Sequence, residues 1–300
     1  MVDTKENKQN KKPTTKKRIA LRVIAIILTV VAGVGTGFYC GMLYLSSKIP
    51  KVNYGAYDET TLRANAQQII TKNSGKKVSE LSAVDAFVIA QYNTENAEKY
   101  ISVANSTLSH NFGKQSVYTY KHKYNGNYLA KEISASSMKS IANKMLFDGE
   151  TITVYPGTAK GATSAEWSNN YQTLTKTEFK NTYGVNAFEL VPYIVSEKTI
   201  AEGYTVTQGK KLANGNWQFS LKLDTKSSVI NYVKKIKKES NISGYPTFLQ
   251  LDLVFEINED CKFVSITSIE TYSFSYSGIA VTCSGSIKTD YDYSKTPTEI

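Results

Sequence analysis

The chain has 300 residues, 41% hydrophobic and 21% charged, with 36 Lys+Arg against 26 Asp+Glu and a formal net charge of +10. That length holds one large domain or two small ones, and the composition excludes collagen-like, disulfide-dense and wholly disordered chains. The charge is uneven: residues 1–22 hold eight basic residues and two acidic ones, residues 23–47 hold none, and from residue 48 onward 28 basic residues stand against 24 acidic ones. A nucleic-acid binder carries its basic excess on a folded surface or groove. Here most of it sits in one terminal tail, so no nucleic-acid partner is expected.

Residues 1–22 read as a disordered, basic cytoplasmic tail. Residues 23–45, VIAIILTVVAGVGTGFYCGMLYL, contain no charge and no proline. At ~1.5 Å per residue they reach ~34 Å as a helix, enough for a hydrocarbon core of ~30 Å. A cleaved signal peptide has a shorter apolar run and a small-residue cleavage site; the reading here is an uncleaved signal-anchor. Its basic flank precedes it, which places the N-terminus in the cytoplasm and the rest of the chain outside, as a single-pass protein of the cell membrane. Phe38 and Tyr39 before Cys40 do not fit a lipoprotein cleavage box. Gly33, Gly37 and Gly41 recur every four residues and clear one helix face for self-association through the membrane. Residues 46–57, with Pro50 and Gly55, read as a linker. Residues 58–293 read as one extracytoplasmic α+β domain, a curved antiparallel sheet of hairpins and a meander packed on a few helices, and 294–300 as a flexible terminus.

Within that domain the first helix is expected over 58–73, with Asp58 as N-cap, Leu62, Ala66, Ile69 and Ile70 on one face, and Gly75 as the stop. A second is expected over 82–93, with Ala83, Ala86, Phe87, Ala90 and Tyr92 on its apolar stripe. From Gln115 the period becomes two. Asn125 and Gly126 between two alternating runs are a strong hairpin signal, and His122 then lies opposite Leu129. KMLF and ETITVY about Asp148 and Gly149 predict a second hairpin. Strands near 203–212 and 216–223 about Asn214 and Gly215 predict a third. Asp224 is the expected N-cap of a helix running to about 239, with Val229, Tyr232, Val233 and Ile236 as its stripe. Lys234, Lys235, Lys237 and Lys238 crowd its C-terminal end, where the helix dipole favours solvated cations; contact with anionic headgroups is the sharper alternative.

The closing stretch alternates most clearly. Leu249, Leu251, Leu253, Phe255 and Ile257 share one face; Val264, Ile266, Tyr272, Phe274 and Tyr276 follow, then Ile279, Val281, Cys283 and Ile287. A turn at Ser277 and Gly278 sets Phe274 against Val281 and Tyr272 against Cys283. A loop over 258–261 sets Phe255 against Val264 and Leu253 against Ile266. The opposite face, from Ser265 and Thr267 to Thr282 and Ser286, is an exposed hydroxyl wall. The helices offer few apolar residues in return, so part of the sheet face, Leu251, Leu253, Phe255, Ile266, Tyr272, Phe274 and Val281, is the candidate apolar ligand surface. The alternative is that residues 185–200, with Val185, Phe188, Leu190, Val191, Tyr193 and Ile194, close the gap.

No catalytic, nucleotide-binding or metal-binding motif is present. His110 and His122 have no partners at ligand spacing, Trp167 and Trp217 read as packing residues, and Cys261 and Cys283 are too far apart along the meander for a disulfide. No catalytic residue, cofactor or metal is therefore expected. The order of elements and the phrase FDGETITVY at 147–155 resemble half-barrel carriers of the LolA and LppX type, in which a curved sheet holds lipid chains against helices. The Lys, Asn, Ser and Tyr usage equally resembles anchored surface proteins of low-GC Gram-positive bacteria. The resulting expectation is a non-enzymatic, membrane-anchored protein binding a lipid or other apolar envelope component. A structural or protein-interaction protein with a closed core is the alternative, and an envelope hydrolase the third.

Overall fold

The computed structural model describes residues 49–136 and 140–297. The tail, the span at 23–45 and its glycines Gly33, Gly37 and Gly41 lie outside the described residues. Among the described residues no helix is long and apolar enough to cross a membrane.

Three helices come first: α1 (Glu59–Arg63), α2 (Ala66–Lys72) and α3 (Ala83–Glu95). Asp58 caps α1 by accepting from the Thr61 amide at 2.8 Å. The single helix expected over 58–73 is broken at residues 64 and 65, where Asn65 favours turn over helix interior. Ser82 caps α3, accepting from the Asp85 amide at 3.2 Å. The stripe expected on α3 is too narrow. Val84, Val88 and Ile89 are buried as well, whereas Tyr92 is exposed. A helix buried on most of its circumference has no single stripe to read.

Twelve strands then form one antiparallel sheet. They are β1 (Lys99–His110), β2 (Gly113–Tyr124), β3 (Asn127–Ser136), β4 (Ser140–Phe147), β5 (Ile152–Ala159), β6 (Ala165–Trp167) and β7 (Gln172–Leu174), then, beyond α4 (Lys176–Tyr183), β8 (Lys210–Lys211) and β9 (Trp217–Lys222). After α5 (Ile230–Ser240) come β10 (Thr247–Ile257), β11 (Phe263–Tyr276) and β12 (Ile279–Asp292). The spatial order is β6-β5-β4-β3-β2-β1-β12-β11-β10-β9-β8, with β7 beside β5. The pairing of β1 with β12 joins an N-terminal and a C-terminal meander into one sheet.

The hairpin turns act as expected. Asn125 and Gly126 both take positive φ, at 50° and 80°, the pair a type I′ turn requires, and His122 pairs with Leu129. Ser277 and Gly278 do the same, and Phe274 faces Val281 while Tyr272 faces Cys283. The β10–β11 register is shifted by two from the expectation: Phe255 faces Ile266 and Leu253 faces Ser268. Two causes add. Asn258 and Lys262 still pair, with Cys261 in the left-handed region at φ 52°, so the loop is shorter by one. Val264 is then an extra residue in β11. A shift of two keeps the side chains from Ser265 onward on their faces, but ahead of the bulge Phe263, with no exposed surface, takes the inward place expected of Val264. A second bulge at Leu249 does the same: Leu249 is 54% exposed and Phe248 takes its place inside.

The third hairpin is shorter than expected, with residues 203–209 outside any strand. The helix expected from Asp224 begins only at Ile230; Asp224 instead caps the turn before it, accepting from the Ser227 amide at 2.6 Å. The expected linker packs: Tyr54 is buried and its hydroxyl donates to the Pro246 carbonyl at 2.9 Å. At the other end Pro297 is buried, and Lys99 Nζ donates to the Ser294 carbonyl at 3.2 Å.

The main core lies where β9–β11 meet α3. Phe87 meets the rings of Phe255 at 5.2 Å and Phe263 at 5.1 Å, both edge to face. Leu251, Leu253 and Phe255 have no exposed surface. Residues 190–195 close the same side, with Leu190, Val191, Tyr193 and Ile194 all buried.

Candidate ligand cavity under the last helix

The site is assembled by α5 lying over the concave face. Period two in β2 and β3 puts Lys121 and Glu132 on that face, one step apart diagonally, because Lys121 pairs with Ala130 and Thr119 with Glu132. From α5, Lys235 reaches Glu132, with Nζ 2.8 and 2.7 Å from its two carboxylate oxygens. One turn on, Glu239 lies 4.0 Å from Lys235. Three residues before Lys235, the Tyr232 hydroxyl donates to Glu270 on β11 at 3.2 Å. In the strand order β3 and β11 are four steps apart, ~19 Å in a flat sheet. Two side chains three residues apart on one helix reach both only because the sheet curves around it.

The charges on this face sort themselves by partner. Burial works against Glu132, but Lys235 and Lys121 outweigh it and hold its carboxyl below the usual range. Burial pushes Glu239 up to about 7; Lys235 opposes this and Glu132 reinforces it. Burial pulls Lys235 down, yet Glu132 and Glu239 more than offset it and raise it. Burial lowers Lys121, whose Nζ donates to the Glu189 carbonyl at 2.8 Å. The solvated-end reading of Lys235 therefore fails: its side chain is 19% exposed and ties helix to sheet.

Glu270 is the residue that sequence reasoning missed. It shares the face of Ile266 and Tyr272 and is 1% exposed. Its Oε1 accepts from Ser268 Oγ at 2.7 Å and from the Tyr193 hydroxyl at 3.0 Å, and its Oε2 accepts from Tyr232. Burial raises its carboxyl, and the three hydroxyl donors partly offset that. The available signal was one of parity: a glutamate in phase with the apolar residues of a strand must be buried with partners of its own.

Between these groups lies a cavity of about 210 Å³. Its floor is formed by β4, β3, β2, β1, β12 and β11, with small or polar residues such as Ser102, Ala104 and Thr119, and apolar ones such as Ile266 and Ile287. Its roof is Leu190, Val191, Pro192 and Tyr193 together with Tyr232, Lys235, Ile236 and Glu239. Of the residues expected on an apolar ligand face, Ile266 and Tyr272 line this cavity. Phe274 and Val281 line a smaller one of about 60 Å³ beside it. Leu251, Leu253 and Phe255 lie in the packed core instead.

A larger recess of about 410 Å³ borders Arg63, Glu95, Tyr128, Phe147, Phe188 and Glu189. Its rings are turned on one another and on lysines: Tyr128 stacks on Phe188 at 5.0 Å, Lys123 stands over Tyr128 and Lys176 over Phe147. Among the described residues no group of three His, Cys, Asp or Glu side chains converges as a metal site. Cys261 and Cys283 are free thiols. The ring of His122 packs edge to face on Tyr120, and His110 Nδ1 accepts from the Phe112 amide at 3.2 Å.

No family model matches the chain, and no curated protein matches it. Among solved structures, the lipoprotein LppX of Mycobacterium tuberculosis is similar at 8% identity, over 72% of this chain and 98% of that one, with a TM-score of 0.34. A DUF1329 family protein from Desulfovibrio piger is similar at 9% identity, over 70% of this chain and 90% of that one, with a TM-score of 0.23. At these TM-scores neither likeness bears on what the cavity binds.

Proposed function

We propose that residues 49–297 form a non-enzymatic binding domain, held outside the cell membrane by the span at 23–45, that takes one small amphipathic envelope molecule into the cavity under α5. The observation that carries this reading is the cavity itself: about 210 Å³ in the middle of the sheet, with buried ionisable groups and apolar walls on the same space. Pockets with a few convergent polar groups in an apolar lining are the usual form of small-molecule sites. What speaks for binding over catalysis is that Glu132 and Glu270 are each engaged by the protein's own donors. One observation favours a closed structural or interaction protein as the second reading: the apolar core beneath α3 leaves Leu251, Leu253 and Phe255 no surface at all.

The full chain, purified from its native envelope and extracted with organic solvent, should release a stoichiometric amphipathic molecule by mass spectrometry. Ile287→Trp, which fills the cavity from its floor, should release none while keeping the thermal midpoint. Absence of such a molecule from the unaltered protein would move the reading to the closed core. Protease added to intact cells should digest the domain and spare a tag at Met1; the reverse pattern would overturn the membrane orientation.

A further inference from the structure

We propose that the cavity selects a ligand carrying a protonated amine, and that Glu270 receives it. This rests on the cavity being a binding site. Half-buried carboxylates near this face have basic partners: Glu132 has Lys235, and Glu189 has Arg63 at 3.0 Å. Glu270 is 1% exposed and, among the described residues, pairs with no lysine or arginine. Its partners are three neutral hydroxyls, from Ser268, Tyr193 and Tyr232. An ionised carboxylate accepts about four hydrogen bonds. Oε1 takes two and Oε2 one, so Oε2 keeps a free acceptor site beside the cavity.

The charges around the same space point the same way. Two lysines and three glutamates line it. Lys235 is committed to Glu132, and Lys121 donates to a backbone carbonyl. Glu132 and Glu239 both lie within ion-pair distance of Lys235, so a carboxylate or phosphate entering beside Oε2 meets the one glutamate of the lining that has no ion pair among the described residues. An ammonium supplies the missing donor to Oε2 and the missing countercharge to Glu270, in a setting where a charge-assisted hydrogen bond is strongest. Leu190, Ile266 and Ile287 offer apolar surface to a short chain behind it.

The test is calorimetric titration of the full chain in zwitterionic nanodiscs with n-hexylammonium, n-hexanol and n-hexanoate, with empty discs subtracted. Hexylammonium should bind at least about tenfold more tightly than hexanoate. Glu270→Gln keeps the shape of the site and should erase that preference while leaving hexanol unchanged; its thermal midpoint controls for folding. Equal binding of the amine and the carboxylate, or a preference that survives Glu270→Gln, overturns the amine assignment and leaves the cavity reading standing. Failure of all three to bind overturns both.

Discussion

The two halves of the sheet use the same alternation to opposite ends. In β9 and β10 the inward residues include Phe219, Leu221, Leu251, Leu253 and Phe255, all at 2% exposure or less, and α3 seals them. In β2 and β3 the inward face carries Lys121 and Glu132, and α5 meets it through Lys235. The first half is dry and packed; the second holds ionised groups and open space. An apolar face is satisfied by any close-fitting neighbour, whereas a charged face needs particular partners at particular distances, and gaps remain where their geometry leaves off. The cavity lies where the second regime gives way to the first, at Ile266, Glu270 and Tyr272.

Three changes test that contrast. Leu253→Asp places a charge where exposure is 0%, and should cost more than about 4 kcal/mol by urea unfolding. A loss below about 1 kcal/mol would mean that the core under α3 is open to water. Lys235→Ala removes the ion-pair partner of Glu132, 2.7 Å away in the unaltered protein, and leaves only the weaker pull of Lys121; it should cost about 3 kcal/mol, the low end for breaking a buried pair. Combining Lys235→Met with Glu132→Leu should restore most of that, since a buried pair is expensive mainly when half is removed.

The smallest effect is one of pH. Glu239 is held up at about 7 in the folded protein, against an ordinary 4.5, so the folded state keeps its proton more tightly than the unfolded one. Its contribution to stability is complete below the unfolded value and is lost as pH rises through the folded one. Stability should therefore fall between about pH 4.5 and 7 in the unaltered protein, and Glu239→Gln should flatten that part of the slope. An unchanged slope would place Glu239 in water rather than against Lys235.

Local signals were legible wherever a turn or an alternation decided the outcome. Asn125 with Gly126 and Ser277 with Gly278 take the positive φ values that a type I′ turn needs, and the registers they impose follow. The bulges at Leu249 and Val264 were not legible, because nothing in an alternating string marks which residue the partner strand will skip. Of the candidate ligand face, Ile266 and Tyr272 reach the cavity; Lys235 was read only as part of a solvated helix end, and Glu239 and Glu270 were not singled out at all.

The sequence by itself determined the alternation of faces, the hairpin turns, the capping of α1 by Asp58, and the supply of apolar residues in 185–200. Each depends on neighbours within a few positions, where backbone sterics and local hydrogen bonds act. Only the tertiary structure decided that residues 190–195 close the apolar gap, that Lys235 is a half-buried tie rather than a solvated helix end, and that Glu270 borders a cavity. Those outcomes depend on what lies opposite each face: Glu132 is 103 positions from Lys235, and Tyr193 is 77 from Glu270. Burial and partnership across such separations are set by how the curved sheet wraps α5, and no local pattern encodes that.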